Sequence, residues 1–152
     1  MTAVAEFNVA ASVETARQVL TSSANKTLVP LDVSRRVVLS PDQYRRLRQV
    51  ASGVIAELLD GLLPHWFRMH HEMLGIEGVV LHAVTALASV TQPRLFRWQD
   101  MQVDVEVAGQ LTRGMTVFDR RREVGAPANV EVCVDVDEQG VVDYLSRLLT
   151  GP

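Results

Sequence analysis

The longest helical pattern in the chain runs from Ser40 to Leu62. Tyr44, Leu47, Ala51, Val54, Ile55, Leu58 and Leu62 fall three or four residues apart, the spacing of one buried helix face. Ser40-Pro41-Asp42-Gln43 supplies its start. Serine caps, proline suits the first helical position, and glutamine three residues after the cap closes a capping box. Arg45, Arg46 and Arg48 lie largely off the stripe, which predicts a solvated face. Pro64 predicts an interruption, followed by a further turn or two over Trp66–Met73. The glycine-flanked loop Gly75–Gly78 comes next, and helix resumes near Ala83 and ends before Pro93.

Outside this stretch the period changes. Thr2–Phe7 alternates weakly and predicts a short first strand. Ser12 reads as an N-cap with Glu14 in the first turn, and Val13, Ala16, Val19 and Leu20 share a helical face. Ser22–Lys26 is a polar turn. Thr27–Val33 predicts a second strand, with Pro30 marking an edge or irregular position. Late in the chain Val103, Val105 and Val107 alternate with Asp104 and Glu106, a period-two strand. Gly109–Gly114 turns it, Met115–Asp119 returns, and Arg120–Pro127 is a polar loop. Val130, Val132, Val134 and Val136 predict another strand, with Glu131, Cys133, Asp135 and Asp137 on its other face. Val141, Leu145 and Leu148 predict a closing amphipathic helix. Helix–strand alternation early and a hairpin late predict an α/β fold with a mixed sheet.

Composition narrows the classes of function. The 152 residues are 47% hydrophobic, enough for one compact domain over 1–152 with a real core. A formal net charge of −3 argues against nucleic acid as the main partner. One cysteine, Cys133, leaves no disulfide framework and no cysteine metal cluster; it is expected to be a packed small residue. The opening residues lack the basic end and apolar run of a signal peptide, and no window of about 18 apolar residues suits a membrane span. A cytoplasmic location is expected. His70, His71 and Glu72 are chemically capable of holding metal, but adjacent residues on a helix do not face one another, so no metal is expected there. Asp32 and Asp119 read as loop or strand-end carboxylates.

Candidate chemistry centres on Leu81-His82-Ala83-Val84-Thr85-Ala86-Leu87-Ala88, where a histidine at a loop-to-helix junction can face a cleft. This stretch resembles the Leu-His-Asp-Pro-Leu-Ala-x-Ala motif of the nucleoside hydrolases, the inosine/uridine-preferring N-ribohydrolases. It keeps His82 and has Ala83 in place of the aspartate. Four further segments resemble that family in the same order: Ala5-Glu6-Phe7-Asn8 with the helix at Ala16–Leu20; Leu31-Asp32-Val33-Ser34; the hairpin from Val103 through Gly109, Thr112–Val117 and Asp119; and Asn129-Val130. The resemblance implies the C-terminal half of a Rossmann-like nucleoside-hydrolase fold, a mixed sheet with a late β-hairpin and flanking helices.

It also implies a chemistry, hydrolysis of the N-glycosidic bond of ribonucleosides to base and ribose. In the family Ca²⁺ holds the attacking water, an aspartate takes its proton, and the sugar passes through an oxocarbenium-like state that carboxylates and hydroxyl contacts stabilise. By resemblance, Glu6 and Asn8 match ribose hydroxyl contacts and His82 matches the histidine near the leaving base. Read from the residues alone, Glu6 is a solvated charge, Asn8 ends a strand and His82 is a helix-start histidine. Calcium takes about 6–8 oxygen ligands; the family's Asp-x-Asp-x-x-x-Asp-Asp cluster is absent here and Ala83 brings no oxygen, so no cofactor is expected. Three readings follow. The chain is a catalytically silent relative, a subunit completed by a chain supplying the N-terminal half, or a non-catalytic binding or assembly module, expected to be a homo-oligomer, with nucleoside or ribose as small-molecule partner.

Overall fold

The computed structural model describes residues 2–121 and 127–150. In chain order the elements are α1 (Phe7–Ala11), α2 (Val13–Thr21), β1 (Thr27–Leu28), α3 (Leu31–Ser34), β2 (Val38–Leu39), α4 (Pro41–Val50), α5 (Gly53–Leu74), β3 (Val79–Val80), α6 (His82–Thr91), β4 (Phe96–Val105), β5 (Thr116–Asp119), β6 (Val130–Val136) and α7 (Glu138–Thr150), with a 3₁₀ turn at Pro93–Leu95. The fold is α/β with a mixed sheet and flanking helices, as the sequence pattern predicts. Backbone contacts divide it into two compact units, Met1–Pro30 with Trp98–Val134, and Leu31–Arg97 with Asp135–Pro152.

The first unit holds the larger sheet, in strand order β1-β6-β4-β5. β1 runs parallel to β6 and β5 antiparallel to β4. Met101, Val103, Val130 and Val132 form its buried cluster, with Leu20, Leu28, Phe118 and Val134 packed against it. Asn129 joins three segments: its side-chain oxygen accepts from the Val103 N–H at 2.8 Å, and its amide donates to the carbonyls of Leu20 and Val103. Arg17 forks Asp104 at 2.8 and 3.1 Å, and the guanidinium holds that carboxyl below the usual carboxylate range. Gly114 closes the hairpin turn at φ 84°, where a Cβ would stand 2.8 Å from that of Ala5; both the backbone angle and the close approach require glycine.

The second unit pairs β2 antiparallel with β3 under helices α3 to α7. Val37, Leu39, Val79 and Val141 are fully buried in it. The capping box at α4 forms as expected: the Ser40 hydroxyl accepts from the Gln43 N–H, and the Gln43 side chain accepts from the Ser40 N–H at 2.7 Å. Gly75 ends α5 in the left-handed region at φ 64°, a common helix stop. Arg36 ties Asp135 and Glu138 at 2.8 and 2.6 Å.

Several expectations are corrected. Residues 2–6 are not a strand, because the Glu6 carboxylate caps a helix that begins at Phe7. Only Thr27–Leu28 of the strand expected over Thr27–Val33 pairs with a neighbour; Pro30 has no N–H for a ladder, and α3 begins immediately after it. Ser12 occupies the cap position of α2 without a capping bond, its hydroxyl donating instead to Thr15. The helix expected to run continuously from Ser40 divides at Ala51-Ser52, and α5 restarts at Gly53 with φ 57°. That break resets the helical phase, so Leu59 and Leu63 are buried while Val54, Leu58 and Leu62 are exposed.

Pro64 does not interrupt α5; it lies on an exposed position, and a proline there gives up one backbone bond without ending the ladder. The strands at Val38–Leu39 and Val79–Val80 have no counterpart in the sequence reading, being too short to show a period. β4 starts at Phe96, earlier than its alternation suggests, and stops before Val107. Cys133 is buried, as expected of a packed small residue, on β6, the strand that lies between β1 and β4. Most of the loop expected over Arg120–Pro127 lies outside the described residues.

Candidate functional site

Glu6 and Asn8 stand at the first turn of α1 in the first unit, and they bond one another. The Glu6 Oε2 accepts from the Asn8 N–H at 2.8 Å and the Val9 N–H at 3.3 Å, while Oε1 accepts from the Asn8 side-chain amide at 3.1 Å. A carboxylate at a helix start satisfies otherwise orphaned N–H groups. The same bonds fix both side chains at an exposed position. Asn8 keeps its amide oxygen for a further donor, and the Glu6 oxygens retain lone pairs, so the pair can still meet sugar hydroxyls. A cavity of about 710 Å³ opens elsewhere in this unit, among Asn25, Lys26, Asp100, Asn129 and Glu131, and neither Glu6 nor Asn8 lines it.

His82 belongs to the second unit, as the first residue of α6. The short strand β3 delivers the chain to that point: Leu81 is buried, and its N–H donates to the Val37 carbonyl at 2.9 Å. The imidazole is exposed, with Nδ1 held 2.9 Å from the Ser34 hydroxyl. Ser34 ends α3 and is only 4% exposed. Sequence reading gave Ser34 no role beyond the Leu31–Ser34 segment it closes. A hydroxyl 48 residues away carries no periodic signal that links it to a histidine.

The other candidates are engaged locally. His70 is buried, its Nδ1 at 2.9 Å from the Trp66 carbonyl in its own helix. His71 points instead to Glu77 at 2.7 Å, so the two adjacent rings do diverge. Asp119 pairs with Arg121 at 2.6 Å and accepts its backbone N–H, which together lower its pKa to about 2. Asp32 sits exposed on α3.

Calcium, which the resemblance implies, does not fit the residues present. Ala83 offers a methyl group where a hard cation wants oxygen, and among the described residues no group of three or more His, Cys, Asp or Glu could hold a metal ion.

Comparison with known proteins supplies the family. The model of the inosine-uridine preferring nucleoside hydrolase family matches residues 1–143. The pyrimidine-specific ribonucleoside hydrolase RihA of Shewanella sp. (strain ANA-3) is 37% identical over 149 residues, 95% of this chain and 45% of that protein. The enzyme of the same description from Escherichia coli O9:H4 (strain HS) is 36% identical over 151 residues, 97% of this chain and 48% of its own length. Among solved structures, a purine-preferring ribonucleoside hydrolase from Gardnerella vaginalis superposes with TM-score 0.85 at 22% identity, covering 97% of this chain and 46% of that one. A plant nucleoside hydrolase, PpNRh1, superposes with TM-score 0.83 at 24% identity, covering 98% and 48%. The chain thus spans about half the length of the curated relatives it matches. With the family model running through nearly the whole chain, from before Glu6 and Asn8 to beyond His82, this polypeptide belongs to the inosine-uridine preferring nucleoside hydrolase family.

Proposed function

We propose that the chain is a nucleoside-hydrolase-family polypeptide that does not by itself hydrolyse nucleosides. Its inherited reaction is cleavage of the N-glycosidic bond of a ribonucleoside to base and ribose. The observation that carries the reading is Ala83, beside His82 at the head of α6. Positive charge growing on a sugar calls for nearby anionic oxygens and a positioned water, and position 83 contributes neither. Glu6, Asn8 and His82 are, on this reading, inherited contact positions for ribose and base, and no calcium is held by this chain alone. The reading includes a cytoplasmic location and a nucleoside or ribose as small-molecule partner. No described helix is long and apolar enough to cross a membrane.

The test is direct. The purified chain is incubated with Ca²⁺ and uridine, cytidine or inosine, and free ribose is measured as reducing sugar. No release above the protein-free control is expected. Release that scales with protein and disappears in H82A would overturn the proposal. A second reading, that a separate polypeptide completes the active unit, is favoured by the half-length coverage of the relatives. Affinity capture of the tagged chain from its own cells is then expected to retrieve a partner with an aspartate-rich N-terminal segment. Recovery of the chain as a lone monomer would remove that reading.

A further inference from the structure

We propose that the outer face of α5 is a self-association surface, on which a second copy of this chain docks antiparallel about Leu62. The chain itself leaves an apolar stripe uncovered there. Val54, Leu58, Leu62, Trp66 and Met73 are each 43% exposed or more. Four of them follow at intervals of four residues, and half-buried Met69 leads on to Met73, so they run along one side of the helix. Gly61 lies beside the stripe. Glycine weakens a helix interior, and a Cβ at Gly61 would meet nothing within 4 Å, so packing inside the chain does not call for it. A bare backbone position next to an apolar stripe suits the close approach of another helix.

Charge decides what covers the stripe. Asp60 is engaged by Arg48 inside the chain. Glu57, Arg68 and Glu72 are exposed along one flank of the stripe, and no ion pair or side-chain hydrogen bond engages them among the described residues. Glu57 and Arg68 stand about 16 Å apart along the helix, too far to pair with each other. A twofold axis that sets two copies of α5 antiparallel brings the same flank of each together. With the axis between Leu62 and Leu63, Glu57 meets the second copy's Arg68, and Arg68 meets its Glu57. The same register sets Leu58 against Trp66, Leu62 against itself, and Glu72 against the start of the other α5 at Gly53. That start has no side-chain capping bond and no acidic residue in its first turn, so a carboxylate there complements its N–H groups and dipole. Opposite charges, apolar residues and helix ends are all answered by a surface this chain already carries, which is the self-complementarity of a twofold interface. One helix face per copy is a small interface, so association is expected at roughly micromolar concentration, and dilution returns the monomer. Assembly of this kind is independent of whether the chain hydrolyses nucleosides.

Sedimentation of the purified whole chain over a concentration series is expected to approach twice the 16.8 kDa of one chain. E57R and R68E each place like charges together at two sites and are each expected to weaken association about tenfold. The double variant E57R/R68E is expected to recover it, a rescue that two residues so far apart on one helix cannot give each other. Single cysteines then read the register. L62C stands at the axis, so mild oxidation is expected to link two copies, a disulfide spanning about 4.4–6.8 Å between Cα atoms. V54C places its two copies about 25 Å apart along the helices and is expected to stay unlinked, whereas parallel pairing would link both. The parent, whose Cys133 is buried, is the control. A monomer at every concentration, linking at V54C as readily as at L62C, or a dimer indifferent to both charge reversals would overturn the proposal. So would a purified chain that stays monomeric while a different polypeptide, captured from cells, is lost from L62E.

Discussion

Replacing Ser40 by alanine is expected to cost about 1 kcal/mol, the usual value of a helix cap, read as a lower urea midpoint with an unchanged slope. The box is complete at both ends, and both residues are close in sequence, so its prediction needed no tertiary information. Asp119 makes a pH-dependent case. Its carboxyl titrates at about 2 because Arg121 donates from its guanidinium and its backbone, against about 3.9 for an unperturbed aspartate. A depressed carboxyl contributes stability that is complete above the unfolded value and is lost as pH falls through about 2. Carboxyl chemical shifts should show that low midpoint, and R121Q should move it upward. Glu6 and Asn8 illustrate the limit of reading single residues. Their match to the family's ribose contacts rests on resemblance, whereas their mutual bonding and the cap they form became visible only with the helix in place.

At the scale of elements, α5 separates local pattern from burial. Leu58 and Leu59 are chemically identical neighbours, yet Leu58 is 51% exposed and Leu59 is 7% exposed. L59A is expected to cost about 2–5 kcal/mol, as buried leucine truncations do. L58A should stay within about 0.5 kcal/mol of the parent. Chemical denaturation of both variants measures the contrast, and equal losses would mean that the helical phase is wrong. The sequence stripe favoured Leu58 because it counted from Ser40 across a helix that in fact breaks before Gly53. A two-residue break leaves no mark in periodicity but turns every later side chain to a new direction. β6 shows the same limit in a strand. Its alternation was plain, but its place between β1 and β4 comes from pairings that no local pattern encodes.

For the molecule as a whole, the metal question tests how far one residue can restore a site. A83D adds one carboxylate beside His82, whereas Ca²⁺ takes about 6–8 oxygens. Titration calorimetry is expected to show no saturable calcium binding by A83D, just as for the parent; a stoichiometric site in either would mean that other oxygens gather there. Ligand identity is what a metal site cannot trade, while a core accepts any apolar residue of suitable volume. Family membership, for its part, is readable across residues 1–143. The sequence by itself determined the α/β class, the Ser40 helix start, the late hairpin, the family and the missing oxygen at residue 83, because each rests on local spacing or on residue identity. The tertiary structure alone decided the helix at Phe7, the phase of α5, the interior position of β6 and the meeting of Ser34 with His82. These depend on which distant groups share a space, and hydrogen bonds and burial across tens of residues leave no period in the chain.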